Sequence, residues 1–209
     1  LADPASARKE FLRVSPDYPF SFPEDQGSHP GFQTEWWYYT GNLEDETGRH
    51  FGYQLTFFRR EIPNNNKSIE NASHWSTDQF FLAHFALTDT LNKEHIVYEK
   101  SARGGAVGLA GAKGGPSYEV WLLNWDVKQV GERVYTLSVD TDRVELQLEL
   151  EDIKGFVLQG NDGYSQKGIE PGNASFYFSQ PRLKTIGTLL LNGEKLNVIG
   201  YSWMDHEFG

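Results

Sequence analysis

Carboxylates set among large aromatic rings can do acid–base chemistry or anchor a ligand, and this chain has two such stretches. One is Glu35-Trp36-Trp37-Tyr38-Tyr39; the other is Trp203-Met204-Asp205-His206-Glu207. They are expected to meet in one pocket. If a strand that starts near Lys195 runs through the second stretch, Asn197, Ile199, Tyr201, Trp203, Asp205 and Glu207 share one face, with Met204 and His206 on the other. Neighbours on a strand diverge, so Asp205, His206 and Glu207 do not make a ready metal triad. No metal or other cofactor is expected. A carboxylic acid beside an indole on an apolar face can serve as a general acid. The plainer alternative is a strand end whose acids and histidine cap a turn or pair with arginine, and the residue types leave both open.

Glu35, Trp37 and Tyr39 alternate onto one face, either as a polar anchor in an aromatic ligand wall with Trp36 beside it, or as core with Glu35 paired to an arginine such as Arg59. His84 stands alone among Phe80, Leu82 and Ala86, as a satisfied core histidine or as a base in a lined cavity. Tyr164 and Lys167, in the glycine-bounded loop 163–168, hold a ligand's polar end or simply form a turn. His29, before Pro30, is read as a turn histidine. There is no Gly-x-Ser-x-Gly elbow and no His-Glu-x-x-His, and the glycine-rich run 103–116 lacks the Gly-Lys-Ser/Thr of a phosphate loop.

The elements that must position these residues are strands. Residues 1–33 carry five prolines and read as an irregular arm that wraps the domain, with a turn or two of helix around 5–12. From Thr34 one strand follows another: 34–43; 50–60, with Phe51, Tyr53, Leu55 and Phe57 on one face; 79–88, apolar on both faces; 95–101; 117–127; 133–139; and 144–150, with Val144, Leu146, Leu148 and Leu150 facing in. A polar loop is expected over 61–77. After an aromatic strand at 174–179, two more strands flank Asn192-Gly193, a strong hairpin signal. No stretch holds a helical period. The fold class is all-β, an antiparallel barrel or strongly curved sandwich.

The chain's 209 residues can bury a real core, and 14% of them are aromatic, more than a minimal core needs. The net charge of −10, with no basic stripe, repels phosphate backbones and excludes nucleic acid as the expected partner. Cysteine is absent, which removes disulfides and thiolate chemistry. No apolar run reaches the ~20 residues of a membrane helix. A start at Leu1 fits a processed N-terminus and a periplasmic or secreted protein.

Five ordered motifs carry a resemblance: Glu35–Leu43, Gly52–Arg59, Gly163–Gly168, Pro171–Ser179 and Trp203–Gly209. Together they resemble the AttH/CrtC family, lipocalin-like proteins that include the carotenoid 1,2-hydratases, and this chain is closer to the AttH-like branch. The resemblance implies a lipocalin-like domain over 34–200 and a segment, 201–209, leading toward a second lipocalin-like domain of the same protein. It implies an apolar, lipid- or isoprenoid-like ligand, which would bring the protein near a membrane; the residues expected to hold it are Glu35, Trp36, Trp37, Tyr39, His84, Tyr164, Lys167 and Trp203. In the hydratase branch it also implies acid-catalysed hydration or cyclisation, with Asp205 as the acid and His206 and Glu207 beside it.

Overall fold

The computed structural model describes residues 11–62, 79–104, 108–170 and 172–209. The helical turn expected around 5–12 and the polar loop expected over 61–77 lie almost wholly outside them. Among the described residues thirteen strands follow the arm: β1 Thr34–Asp45, β2 His50–Glu61, β3 Gln79–Asp89, β4 Glu94–Arg103, β5 Ala110–Lys113, β6 Glu119–Leu122, β7 Trp125–Gly131, β8 Val134–Asp140, β9 Val144–Asp152, β10 Val157–Leu158, β11 Tyr164–Gln166, β12 Ala174–Leu191 and β13 Glu194–Phe208. All pair antiparallel in the order β4-β3-β2-β1-β13-β12-β9-β8-β7-β6-β5, with β10 and β11 on the first half of β12. The sheet curls into a nearly closed barrel.

Side chains bridge the seam between the β4 edge and the far end of the sheet. Arg143 bonds Glu94 at 2.6 Å, Tyr98 donates to Asp142, Lys100 donates to Asn124, and the Lys100 ammonium stands 4.3 Å from the centre of a Trp125 ring.

Alternation decides what fills the barrel. On β1 to β3 the inward residues are Trp37, Tyr39, Leu43, Phe51, Tyr53, Leu55, Phe57, Phe81 and Phe85; β7 to β9 add Trp125, Val127, Leu137, Leu146 and Leu150. Each fully buried large side chain stabilises the fold by roughly 1.5–3 kcal/mol. The outward residues of β9 are polar and wet, but those of β1 to β3 include Trp36, Tyr38, Phe58 and Leu82.

Three expectations change. The strand expected over 117–127 is a hairpin, β6 to β7, turning at Leu123-Asn124 with Leu123 at φ 57°. A leucine in the left-handed region carries no turn signature, so the break is invisible to pattern reading. The aromatic strand 174–179 and the following one fuse into β12, an 18-residue strand with a register shift between Gln180 and Leu183 that accommodates Pro181. The boundary drawn at 200/201 cuts through β13: residues 201–208 are paired to β1 and most of them to β12, so that segment is a central strand of this barrel. The Asn192-Gly193 hairpin forms as expected, with φ 52° and 87°, the mirror-image turn that suits strand twist.

The arm crosses one end of the barrel. Val14, Tyr18, Phe20 and Phe32 pack on Phe176 and Phe208 as a separate small cluster.

Candidate functional site

The two motifs are adjacent strands. Glu35 stands opposite Phe208, Trp36 opposite Glu207, Trp37 opposite His206 and Tyr38 opposite Asp205. Alternation then sorts them onto two faces of one sheet. Glu35, Trp37 and His206 point into the barrel; Trp36, Tyr38, Trp203, Asp205 and Glu207 point out. Glu35 and Asp205 are therefore separated by the sheet, and the two stretches meet instead on the outer face, through Trp36 and Glu207.

On the inner face, under the arm, the fully buried Glu35 carboxylate is the hub. Its Oε1 lies 2.6 Å from His29 Nδ1 and 2.8 Å from His206 Nε2. Its Oε2 accepts from Arg59 Nε at 2.7 Å and from the His29 backbone N–H at 3.0 Å. Arg59, also fully buried, donates further to Glu61 and to the carbonyls of His29 and Phe32. His29 Nε2 lies 3.2 Å from Asp25, which also accepts from Tyr18 and the Ser21 amide. The arm is thus tied to the barrel by a buried relay, Asp25–His29–Glu35–His206, with Arg59 as its fixed cation.

Burial would raise the Glu35 carboxyl, but the bonds from His206 and His29 outweigh it and hold it far below the usual carboxylate range. Burial would likewise suppress His29, yet its hydrogen bonds and charge contacts with Asp25 and Glu35 raise it above an ordinary histidine. His206, wholly enclosed, is lowered by burial, and Glu35 only partly offsets this. His29 thus favours its charged form and His206 its neutral form, which donates from Nε2; among the described residues His206 Nδ1 has no partner.

His29, Glu35 and His206 could in principle ligate a metal ion. The 2.6 and 2.8 Å separations are shorter than the about 3.3 Å between two ligands of a tetrahedral zinc ion. With Nε2 on a metal, His206 Nδ1–H would also be a buried donor with no acceptor. The spacing is that of hydrogen bonds.

The outer face is built differently. Asp205 Oδ1 accepts from Trp203 Nε1 at 2.6 Å, Tyr177 Oη at 2.9 Å and Ser179 Oγ at 2.5 Å. Among the described residues its Oδ2 accepts nothing. Burial and the Asp205 charge push the Tyr177 phenol up to about 12, so it is a donor at neutral pH. Glu207 Oε1 lies 2.6 Å from Lys167 Nζ and accepts from Ser175 at 2.5 Å.

Two cavities flank Trp36. One, about 430 Å³, is lined by Trp36, Tyr38, Phe58, His84, Val97 and Glu99 among others. The second, about 460 Å³, lies on the opposite side of Trp36 among Thr34, Lys167, Ser175 and Glu207.

Of the residues singled out in the sequence, Trp36, Trp203, Asp205, Glu207 and Lys167 gather on the outer face, and His84 joins them at the far side of the cavity lined by Tyr38 and Phe58. His84 is not a core histidine: it is half-exposed, 3.1 Å from Glu99 and 5.4 Å from the Phe58 ring. Glu35, Trp37, Tyr39 and His206 are interior. Trp37 donates to the Gln26 carbonyl and the Tyr39 hydroxyl meets Tyr118 at 2.5 Å, so both are core with satisfied polar ends. The pairing of Glu35 with Arg59, one of its two readings, is the one that forms. Tyr164 packs beside the arm cluster and donates to Gln166, away from both cavities. Sequence reasoning missed Asp25 and His29 as relay members because an irregular arm has no period to read. It also missed Ser175, Tyr177 and Ser179, whose alternation on one face was the available signal.

The fold is a nearly closed antiparallel barrel, with its core filled by its own side chains and an aromatic outer wall. The family described as AttH-like matches residues 13–209, and the chain belongs to it. A protein of Nitrosomonas europaea assigned as an AttH superposes with TM-score 0.81 at 35% identity, covering 95% of this chain and 58% of that one. This chain thus spans a little over half the length of that relative. Kievitone hydratase of Nectria haematococca shares the fold, with TM-score 0.65 at 16% identity over 97% of this chain and 56% of its own. No curated protein matches.

Proposed function

We propose that this domain binds an apolar, lipid- or isoprenoid-like molecule in the aromatic cavity on the outer face of β1 to β4. One observation supports this most. The barrel interior is occupied by its own rings, yet the same strands carry a second, outward set, Trp36, Tyr38 and Phe58, around a cavity of about 430 Å³. That volume falls in the range of small-molecule sites. A second lipocalin-like domain of the same protein would wall this face, and a periplasmic or secreted location suits such cargo.

Lipid extracted from natively purified full-length protein and read by mass spectrometry tests the reading. An apolar species is expected from the wild type and should vanish in Phe58→Glu. Identical extracts from the two, or none from either, would remove it.

A second reading is favoured by Asp205 alone, fixed through Oδ1 with Oδ2 open beside the Trp203 and Tyr177 rings. A protonated Asp205 would give its proton to a double-bond carbon, the ring faces would stabilise the cation, and water would add, returning its proton to the carboxylate. The resemblance to a hydratase fold suits this chemistry. His206 takes no part in it, being on the opposite face. In Asp205→Asn, loss of turnover of isoprenoid test substrates with binding retained is expected; unchanged turnover would end the acid role.

A further inference from the structure

We infer that the Lys167–Glu207–Ser175 cluster is a head-group site, and that the ligand is amphipathic, with an uncharged hydroxyl head and an apolar body lying across Trp36. The inference rests on the cavity reading above and adds the chemistry of the ligand's other end.

The sheet register lays out the path. On the outer face Leu82, Phe58, Trp36, Glu207 and Tyr177 form one row across β3, β2, β1, β13 and β12. Neighbouring strands are about 4.8 Å apart, so Phe58 and Glu207 are separated by about 10 Å with Trp36 between them. Trp36 lines both cavities, one on the Phe58 side and the other on the Glu207 side. A chain of ordinary length can therefore lie over the Trp36 ring with one end in each.

The polar end is selective by what its groups leave unused. Glu207 is buried, and Lys167 and Ser175 both meet its Oε1. Among the described residues Oε2 bonds to nothing. Lys167 Nζ has three N–H donors, and its side chain is 43% exposed, so donors remain free beside that open acceptor. A hydroxyl satisfies both at once, accepting from Lys167 and donating to Glu207. A carboxylate head would face Glu207 and, one row along, Asp205, in a chain of net charge −10. A bare hydrocarbon would leave the pair half-solvated and unmatched.

Titration of the full-length protein with 1-decanol, decanoate and decane, followed by tryptophan fluorescence, tests this. Decanol should bind about ten-fold more tightly than either other probe, the usual size of a hydrogen bond to a charged group. Lys167→Met should erase the decanol advantage and leave decane unchanged, while Glu207→Gln should turn the preference toward decanoate by freeing the ammonium. Circular dichroism checks that both variants fold. Equal decanol and decane binding, with both weakened by Trp36→Ala, would overturn the head-group site and leave the apolar cavity standing. Tightest binding of decanoate to the wild type would overturn the uncharged head. Binding of none of the three would overturn the cavity reading together with this one.

Discussion

Replacing Glu35 by Gln probes the buried relay most directly. The carboxylate receives four hydrogen bonds, two on each oxygen, from Arg59, His206 and both the ring and backbone of His29. A glutamine has one acceptor oxygen, so its amide nitrogen must confront two donors on one side. Arg59 keeps Glu61 at 3.3 Å but loses its shorter, fully enclosed partner, and protonated His29 keeps only Asp25. Breaking a buried pair from one side costs about 3–5 kcal/mol. Against a domain stability of roughly 5–15 kcal/mol that is about a fifth or more. At about 2–4 °C per kcal/mol for this size, Tm should fall by about 6–20 °C. Thermal and urea unfolding by circular dichroism would read it, with the urea midpoint lowered and the slope unchanged. The double variant Glu35→Gln/Arg59→Met should cost less than the sum of the single ones, because it also removes the stranded cation. A fall under about 2 °C, or strict additivity, would refute the view of Glu35 as the hub that ties arm to barrel.

Stability should also carry the signature of His29. Its folded pKa is raised, so its contribution is complete below the ordinary 6.5 and is lost as pH rises through the higher folded value. His206 is lowered and acts the other way, but its effect ends once pH exceeds 6.5. Tm should therefore decline on the alkaline side of neutrality in the wild type and stay flatter in His29→Gln; equal slopes would exclude the assignment. On the acid side, Glu35 and Asp25 are both lowered, so stability should fall as pH drops below about 4.5, less steeply in Glu35→Gln. Gly41→Ala places a methyl 2.5 Å from Ser202 Oγ and 2.6 Å from the Tyr53 ring, inside the Tyr53–Ser202–Thr185 hydrogen-bond chain. It should lower the urea midpoint by about 1–3 kcal/mol of stability, and an unchanged midpoint would mean that the strands part there freely.

Much of this protein is legible in its sequence because a strand's period of two is a local property. Phe51, Tyr53, Leu55 and Phe57 declare a common face, as do Val144 to Leu150, and Asn192-Gly193 declares its hairpin by the φ values those residues tolerate. The same period put Asp205 and Glu207 on one face and His206 on the other before any partner was known. It did not say which face was core, since β1 and β3 carry large apolar groups on both sides and only burial distinguishes Trp37 from Trp36.

Pairing of distant strands, and the path of an arm without period, were decided by tertiary structure alone. The paired residues of β1 and β13 lie more than 150 positions apart, and their register sets Glu35 beside His206 while holding it away from Asp205. His29 reaches Glu35 because Tyr18, Phe20 and Phe32 seat the arm against Phe176 and Phe208. Non-local burial of that kind leaves no spacing to read, and so an apparent turn histidine is a buried link between arm and barrel.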